Sequence, residues 1–347
     1  MAIIGVGNCA SALIQGVHYY SNKENTIGLS HPELGGYKIS DIKFVAAFDV
    51  DKRKVGKDLS EAIFAEPNDT VKFADVPHLD VEVHMGPVLD GVEGQLKSIV
   101  KIADKEPCNV VEVLKKARAD IVVNLLPGGA REASQWYAKK SLEAGCAFIN
   151  ATPVEIINDP EIASTYEKAG IPIVGDDLIS QVGATFLHRL ILNALARRGV
   201  KIIETYQLDV GGGLEAMDTV LRAKDLKQSV KTTAVKAALP YEAEVVAGSM
   251  DYVDFLGNRR DSYFWIRGVY FGEIPMEIDL RLSTIDGPNA GDTLLDAIRG
   301  VKIALDRKIG GPLISVSAYA FKRPPKVVAP DVAEKWFEEF ITGVRER

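Results

Sequence analysis

Cysteine is scarce in this chain of 347 residues, and Cys9, Cys108 and Cys146 stand too far apart to make a Cys-x-x-Cys. That argues against a disulfide framework or a zinc ribbon and for a reducing cytoplasm. The five histidines share no H-x-x-x-H or other ligand spacing, so no metal site is expected from them. No apolar run approaches the length of a membrane span, and no charged n-region with an apolar h-region precedes the first strand. That strand begins almost at the first residue, so the sequence leaves open whether native residues precede it. Positive charge is in deficit: 41 Lys and Arg against 48 Asp and Glu give a net charge of -7. Neither nucleic acid nor an anionic membrane is therefore an expected partner. Internal repeats and low-complexity tracts are lacking. Apolar residues are not: at 47% they suffice for a buried core, and the length suggests about two domains.

The most informative stretch is Ala2-Ile-Ile-Gly-Val-Gly-Asn-Cys-Ala-Ser11. A short apolar strand runs into a glycine turn, and a helical apolar pattern (Ala12, Leu13, Ile14, Val17) follows at once. Gly5, Gly7 and Ala10 fit G-x-G-x-x-A, the turn that holds a dinucleotide pyrophosphate at a helix N-terminus. The bland alternative is an ordinary β–α turn in a larger sheet. Residues 42–48 read as the second strand, ending at Asp49, an acceptor for adenosine ribose hydroxyls or equally a helix N-cap. A polar segment, 21–40, delays it past the usual spacing.

Strands and helices then alternate: helix 109–119, strand 120–126, helix 131–144, strand 146–151, helix 160–169, strand 171–174, helix 181–198, strand 201–208. Unbroken apolar strands between helices indicate a doubly wound parallel sheet, α/β in class. The polar turns at 127–129, 150–153 and 175–177 follow strands, where ligands of such sheets sit. The character changes near Gly211. A lysine-rich segment, 222–231, precedes an aromatic-rich stretch, 243–285, that reads as an antiparallel sheet and an oligomer surface. A helix over 291–307, an apolar strand over 315–321 and an amphipathic helix over 332–345 complete the chain. Lys227 and Lys231 lie four apart, on one face if helical, and Lys322 follows the late strand. By spacing alone these lysines read as a solvated face.

The whole-chain pattern gives them another meaning. The sequence resembles the myo-inositol-1-phosphate synthase family, its shorter bacterial and archaeal members in particular. The carriers are Gly5-Val-Gly-Asn-Cys-Ala-Ser11, Phe44-Val-Ala-Ala-Phe-Asp-Val-Asp51, Val174-Gly-Asp-Asp177, Ser180-Gln-Val-Gly-Ala-Thr185, Asp286-Gly-Pro-Asn289 and Ser317-Ala-Tyr-Ala-Phe-Lys322. The resemblance implies an NAD-binding Rossmann-like domain (1–200 and 305–347) and an α+β domain for catalysis and oligomerisation (201–304). It also implies a homotetramer. The implied reaction is a redox-neutral isomerisation of D-glucose 6-phosphate to 1L-myo-inositol 1-phosphate. It runs by oxidation at C5, enolisation, attack of C6 on the C1 aldehyde, and reduction back at C5. Carried over, the catalytic set is Lys227, Lys231, Lys322, Arg260 and Asp177, with Ser180, Gln181 and Asp286 toward substrate. The NAD wall falls on Gly5, Gly7, Asn8, Cys9, Ala10, Asp49, Asn124, Pro127, Thr152, Asp176 and Thr185. A dependence on a monovalent or divalent cation stays open.

The departures from the family pattern cluster at the chemistry. Ile179 stands where the family has a lysine. Gly-Gly-Asn-x-Asp becomes Gly211-Gly212-Gly213-Leu214-Glu215, Asp-x-Lys becomes Asn258-Arg259-Arg260, and the lysine pair needs a one-residue gap upstream. Arginine keeps its charge at working pH, so Arg260 can neutralise an oxyanion but cannot exchange a proton. Two alternatives therefore stand beside the glucose 6-phosphate reading. One is a divergent paralogue acting on another hexose or ketose phosphate, the other a catalytically silent NAD-binding protein.

Overall fold

The computed structural model describes residues 1–21 and 25–347. Residues 22–24, part of the polar segment noted above, lie outside the described residues.

The first sheet is made of seven parallel strands: β1 (Ala2–Ile4), β2 (Ala46–Asp49), β3 (Val83–Met85), β4 (Ile121–Asn124), β5 (Ala147–Asn150), β6 (Pro172–Val174) and a late strand from the far end of the chain. Every residue of β1, β4 and β5 is buried, which is why they are continuous apolar runs rather than alternating ones. Helices cover both faces. On one side α1 (Asn8–Ser21) brings Leu13 and Ile14 to the core. On the other lie α2 (Val110–Lys116), α3 (Arg131–Glu143) and α4 (Pro160–Ala169), with Leu114, Tyr137 and Tyr166 on Phe148. Local sequence sets these helix ends. Asp159 caps α4 through the amides of Glu161 and Ile162, Pro160 opens its first turn, and Gly170 closes it in the left-handed region at φ 67°.

The second sheet contains β7 (Lys201–Gly211), β8 (Glu244–Tyr252), β9 (Arg259–Tyr270) and β10 (Ile274–Ile285), in the order β8-β7-β9-β10. The antiparallel expectation for 243–285 holds for β9-β10, and β7, expected with the parallel strands of the first sheet, lies in this sheet antiparallel to β9. The expectation fails for β8, which runs parallel to β7. A helical crossover separates those two strands and makes the parallel return possible. Its main part is α6 (Lys224–Lys236), which packs with α5 (Ala184–Arg197) on one face of the sheet.

The chain then returns to the first sheet. Helix α7 (Gly291–Asp306) packs beside α1, β11 (Gly311–Pro312) adds to β6, and α8 (Ile314–Ala320) and α9 (Pro330–Ile341) complete that layer. The strand expected over 315–321 is therefore α8 for most of its length. A short apolar run fits a buried helix as well as a strand. The completed order is β11-β6-β5-β4-β1-β2-β3, reversing between β1 and β4, where ligands of doubly wound sheets bind.

Candidate active site

A cavity of about 310 Å³ opens at that reversal and runs to the inner face of the second sheet. Its first end is the glycine turn. Gly5 has φ +85°, and a Cβ there would stand 2.9 Å from the Leu125 carbonyl oxygen, so no other residue fits. A Cβ on Gly7 would meet no atom within 4 Å, which leaves open room on the cavity wall. Ala10 is fully buried at the start of α1, where a larger side chain would push helix from strand. Asp49 lines the cavity at the end of β2. Its carboxylate accepts the amides of Val6 (2.8 Å), Val50 (2.7 Å) and Asp51 (2.9 Å), and so ties the glycine turn to its own. It caps no helix; the next one begins at Leu59 under Asp58. Cys9 also lines the cavity, with burial pushing its thiol up to about 12, so it stays protonated.

The second end is a lattice of buried charges. Lys227 and Lys231, on the inward face of α6, are 8% and 5% exposed, which overturns the solvated-face reading. Asp177 Oδ1 accepts both Lys227 Nζ (3.3 Å) and Lys322 Nζ (3.1 Å), while Lys322 also donates to the Leu178 carbonyl at 2.6 Å. Main-chain pairing delivers Lys322 here: its amide donates to Asp177 O, and residues 176 and 323 exchange N–H···O bonds. Glu215 bridges Lys227 (3.2 Å) and Arg260 (2.7 Å). Arg260 in turn grips both oxygens of Asp286. Lys231 donates to Asp209 at 2.6 Å, and Ser262 and Gln207 complete that carboxylate. The stem of Lys231 crosses the β8 bulge at Gly248, φ +83°, where a Cβ would lie 2.3 Å from Lys231 Cδ.

These surroundings set different proton affinities for chemically similar groups. Burial, with Asp177 offsetting it only in part and the Lys227 and Lys231 charges adding to it, pulls Lys322 down to about 8. Burial also opposes the charge on Lys227, but Asp177 and Glu215 outweigh it and hold its pKa above the ordinary lysine value. Burial works against the Asp209 carboxylate as well, yet Lys231 and Arg260 bring it to about 2. The cavity thus combines one lysine able to exchange a proton near neutral pH with cations that stay charged.

Most of the residues named from the sequence line this one cavity: Gly5, Gly7, Asn8, Cys9, Ala10, Asp49, Pro127, Thr152, Asp177, Ser180, Thr185, Lys227, Lys231, Arg260, Asp286 and Lys322. Three lie behind its wall. Asn124 donates to Asn150 and joins the ends of β4 and β5. Asp176 accepts from Asn150, Asn158 and the amides of Ile156 and Ile157, and burial pushes it up to about 7. Gln181 turns to the Gly28 carbonyl and Asp292. Of the departures, Gly213, Glu215, Asn258 and Arg260 line the cavity, whereas Ile179 is buried outside it. Sequence reasoning missed Asp209, Lys54 and Asn68. The alternation of Thr205, Gln207 and Asp209 on the buried face of β7 was a usable signal for the first. Among the described residues, no group of three or more His, Cys, Asp or Glu is arranged to hold a metal ion.

The residues fit a dinucleotide on two counts. The cradle at Gly7 is open, and two buried polar atoms on the wall, Asp177 Oδ2 and Thr185 Oγ1, have no partner within the protein.

Comparison with known proteins agrees. The myo-inositol-1-phosphate synthase family model matches residues 183–287. An inositol-3-phosphate synthase of Mycolicibacterium smegmatis is 47% identical, covering 99% of this chain and 98% of its own. That of Corynebacterium glutamicum is 43% identical, with coverage of 98% and 97%. The crystal structure of a myo-inositol-1-phosphate synthase-related protein from Thermotoga maritima superposes with a TM-score of 0.81 at 25% identity, over 98% of this chain and 97% of that one. On fold, cavity and end-to-end similarity alike, the chain belongs to the myo-inositol-1-phosphate synthase family.

Proposed function

We propose that this protein is an NAD-dependent isomerase that cyclises D-glucose 6-phosphate to 1L-myo-inositol 1-phosphate. The observation that carries the reading is the cluster of Lys227, Lys231 and Lys322 around buried carboxylates, in the same cavity as the glycine turn. Bound NAD supplies a reversible two-electron oxidant, so that oxidation at C5 of the sugar and its later reversal need no outside reductant. The turn at Gly5 and Gly7, the start of α1 and Asp49 hold that cofactor, and Asp177 Oδ2 and Thr185 Oγ1 are open to its polar groups or to substrate hydroxyls.

The remaining steps need a group that moves protons and charges that steady oxygen anions. Lys322, at about 8, can take the proton from the C5 hydroxyl and return it. Lys227 stays charged and stabilises the enolate oxygen and then the C1 alkoxide. Asp177 orients both lysines through one oxygen. Arg260, bound by Asp286 and Glu215, contributes fixed charge and no proton transfer. Ser180 and Thr185 face the phosphate, while Gln181 holds their loop from behind.

Residues 1–200 with 305–347 serve the cofactor and 201–304 serve catalysis and oligomerisation, although α5 packs on the second sheet and α7 on the first. Dependence on a monovalent or divalent cation is left to experiment, and added-cation dependence of turnover tests it. The open face of the second sheet carries Val246, Tyr206 and Trp265 side by side in register, then Leu208 beside Tyr263, and a homotetramer covers it. The three unpaired cysteines suit a cytoplasmic enzyme, and among the described residues no helix is long and apolar enough to cross a membrane.

A second reading, a paralogue for another hexose or ketose phosphate, is favoured by Gly213, Glu215 and Arg260 all lining the cavity. One experiment separates the two. Cofactor-stripped protein is incubated with NAD⁺ and a panel of hexose phosphates, and products are identified by NMR. Inositol phosphate from glucose 6-phosphate, without accumulation of reduced cofactor, supports the first reading. A different cyclitol phosphate from another sugar supports the second, and stoichiometric reduced cofactor defeats both.

A further inference from the structure

Lys54 follows β2 in a tight turn and is 4% exposed, yet it faces the cavity. Its Nζ donates to the main-chain carbonyl of Val6 at 2.7 Å and to Asn68 Oδ1 at 2.9 Å. Asn68 Nδ2 donates to the same Val6 carbonyl at 3.0 Å, and also to Ile63 O at 3.0 Å. Two side chains therefore converge on one carbonyl, in the middle of the glycine turn. The Val6 amide is held as well, by Asp49 Oδ2.

The peptide plane turns this into a statement about the ligand side. In a trans peptide the carbonyl and the following N–H point in opposite directions. Fixing Val6 C=O on Lys54 and Asn68 directs the Gly7 N–H away from them, and Gly7 is the residue whose Cβ position is open. A glycine pair left to itself samples many conformations, and ordering them on binding weakens affinity. Burying an ammonium is costly, and Asp49 and Asp51 nearby reduce that cost. The chain bears it for a charge-assisted bond to one carbonyl of the turn that faces the cofactor.

We infer that Lys54, seconded by Asn68, is a positioning residue for the dinucleotide: it pins the Val6 carbonyl so that the Gly7 amide is presented to the pyrophosphate. The inference rests on the NAD reading given above. It differs from a purely structural role in what it predicts for fragments of the cofactor. A pinned amide matters to ligands with a pyrophosphate and not to adenosine, which has none.

The test is calorimetry on the full-length, cofactor-stripped protein with NAD⁺, ADP and adenosine, with melting temperature recorded for each variant. Lys54→Met is expected to weaken NAD⁺ and ADP by about tenfold or more while changing adenosine by less than about twofold. Lys54→Arg, which keeps the charge and donors, is expected to recover most of the loss. Asn68→Ala removes the second donor and is expected to weaken NAD⁺ by roughly threefold; it decides the matter if Lys54→Met does not fold. Wild-type affinity for NAD⁺ in Lys54→Met, or in Asn68→Ala should that be the deciding variant, overturns the inference. So does an equal loss for adenosine and NAD⁺. Wild-type protein that binds no NAD⁺ overturns the underlying reading instead.

Discussion

Lys322 shows at the residue scale how position changes chemistry. The same side chain on a surface would keep its proton well past neutral pH; here burial brings it to about 8. Its pKa is lower in the folded chain than in the unfolded one, so between about 8 and 10.5 the unfolded chain binds more protons. The Lys322 contribution to stability is therefore expected to rise with pH across that window, against the loss from His31 below about 9. Lys322→Met should remove that contribution, which the difference between wild-type and variant denaturant melts from pH about 7 to 11 would measure. The same variant should lower turnover by about tenfold or more, at least ~1.4 kcal/mol of transition-state stabilisation, with NAD⁺ affinity retained. Unchanged turnover would remove Lys322 from the mechanism. The sequence pointed to this lysine through its resemblance to a family, but spacing alone did not. What makes Lys227, Lys231 and Lys322 special is Asp177 and Asp209, carboxylates distant in sequence that only the fold brings within 3.3 Å. The sequence pattern ends that strand at Leu208, whereas it runs on to Gly211 and so takes in Asp209.

Two features act at the scale of the element. The bulge at Gly248 interrupts β8 between Ala247 and Ser249, and α6 lays Lys231 across it. Gly248→Ala would force a methyl into the lysine stem and a strained φ onto the strand, for roughly 1–3 kcal/mol of stability. Turnover should fall further than stability explains, since Lys231 would leave Asp209; comparison of melting with initial rates would show it. A glycine inside a strand pattern hints at a bulge, but what crosses it depends on which helix lies above. The second feature is His31, whose ring bonds Asp296 of α7 (2.7 Å) and Glu338 of α9 (3.0 Å). The Asp296 bond, opposed by burial and aided by Glu338, pushes the imidazole up to about 9. Arg299 and Tyr319 share the same carboxylate. The stabilisation from charged His31 is full below its unfolded value of 6.5 and is lost as pH rises through about 9. His31→Gln should lower the melting temperature by roughly 2–6 °C near pH 6 and flatten its fall toward pH 9. An unchanged profile would assign the pH dependence elsewhere.

For the molecule as a whole, alternation of apolar strands and helices was enough to recognise the parallel sheet, because each strand is short, buried and separately bounded. The order of strands in the second sheet was not legible, since β8 and its neighbours share one aromatic, alternating pattern whichever way they run. That sheet also carries the assembly prediction. Tyr206 stacks on Trp265 on its open face, with ring centroids 5.7 Å apart. Tyr206→Glu should shift the protein toward smaller species in light scattering while leaving the circular dichroism intact; an unchanged mass would place the subunit contact on another surface. The joining of both chain ends in the first sheet has a further consequence, for synthesis. Main-chain bonds from residues 322 and 323 to residues 176 and 177 are what bring Lys322 to the site, and β11 closes the sheet only after the rest of it exists. A ribosome must therefore pass codon 323 before the pairing that carries Lys322 to the cavity can form. A message cut short upstream of codon 322 yields a polypeptide carrying the glycine turn and the lysine pair, yet missing the lysine that burial brings to about 8. Premature release upstream of that codon therefore cannot leave a chain that brings all three lysines to the cavity.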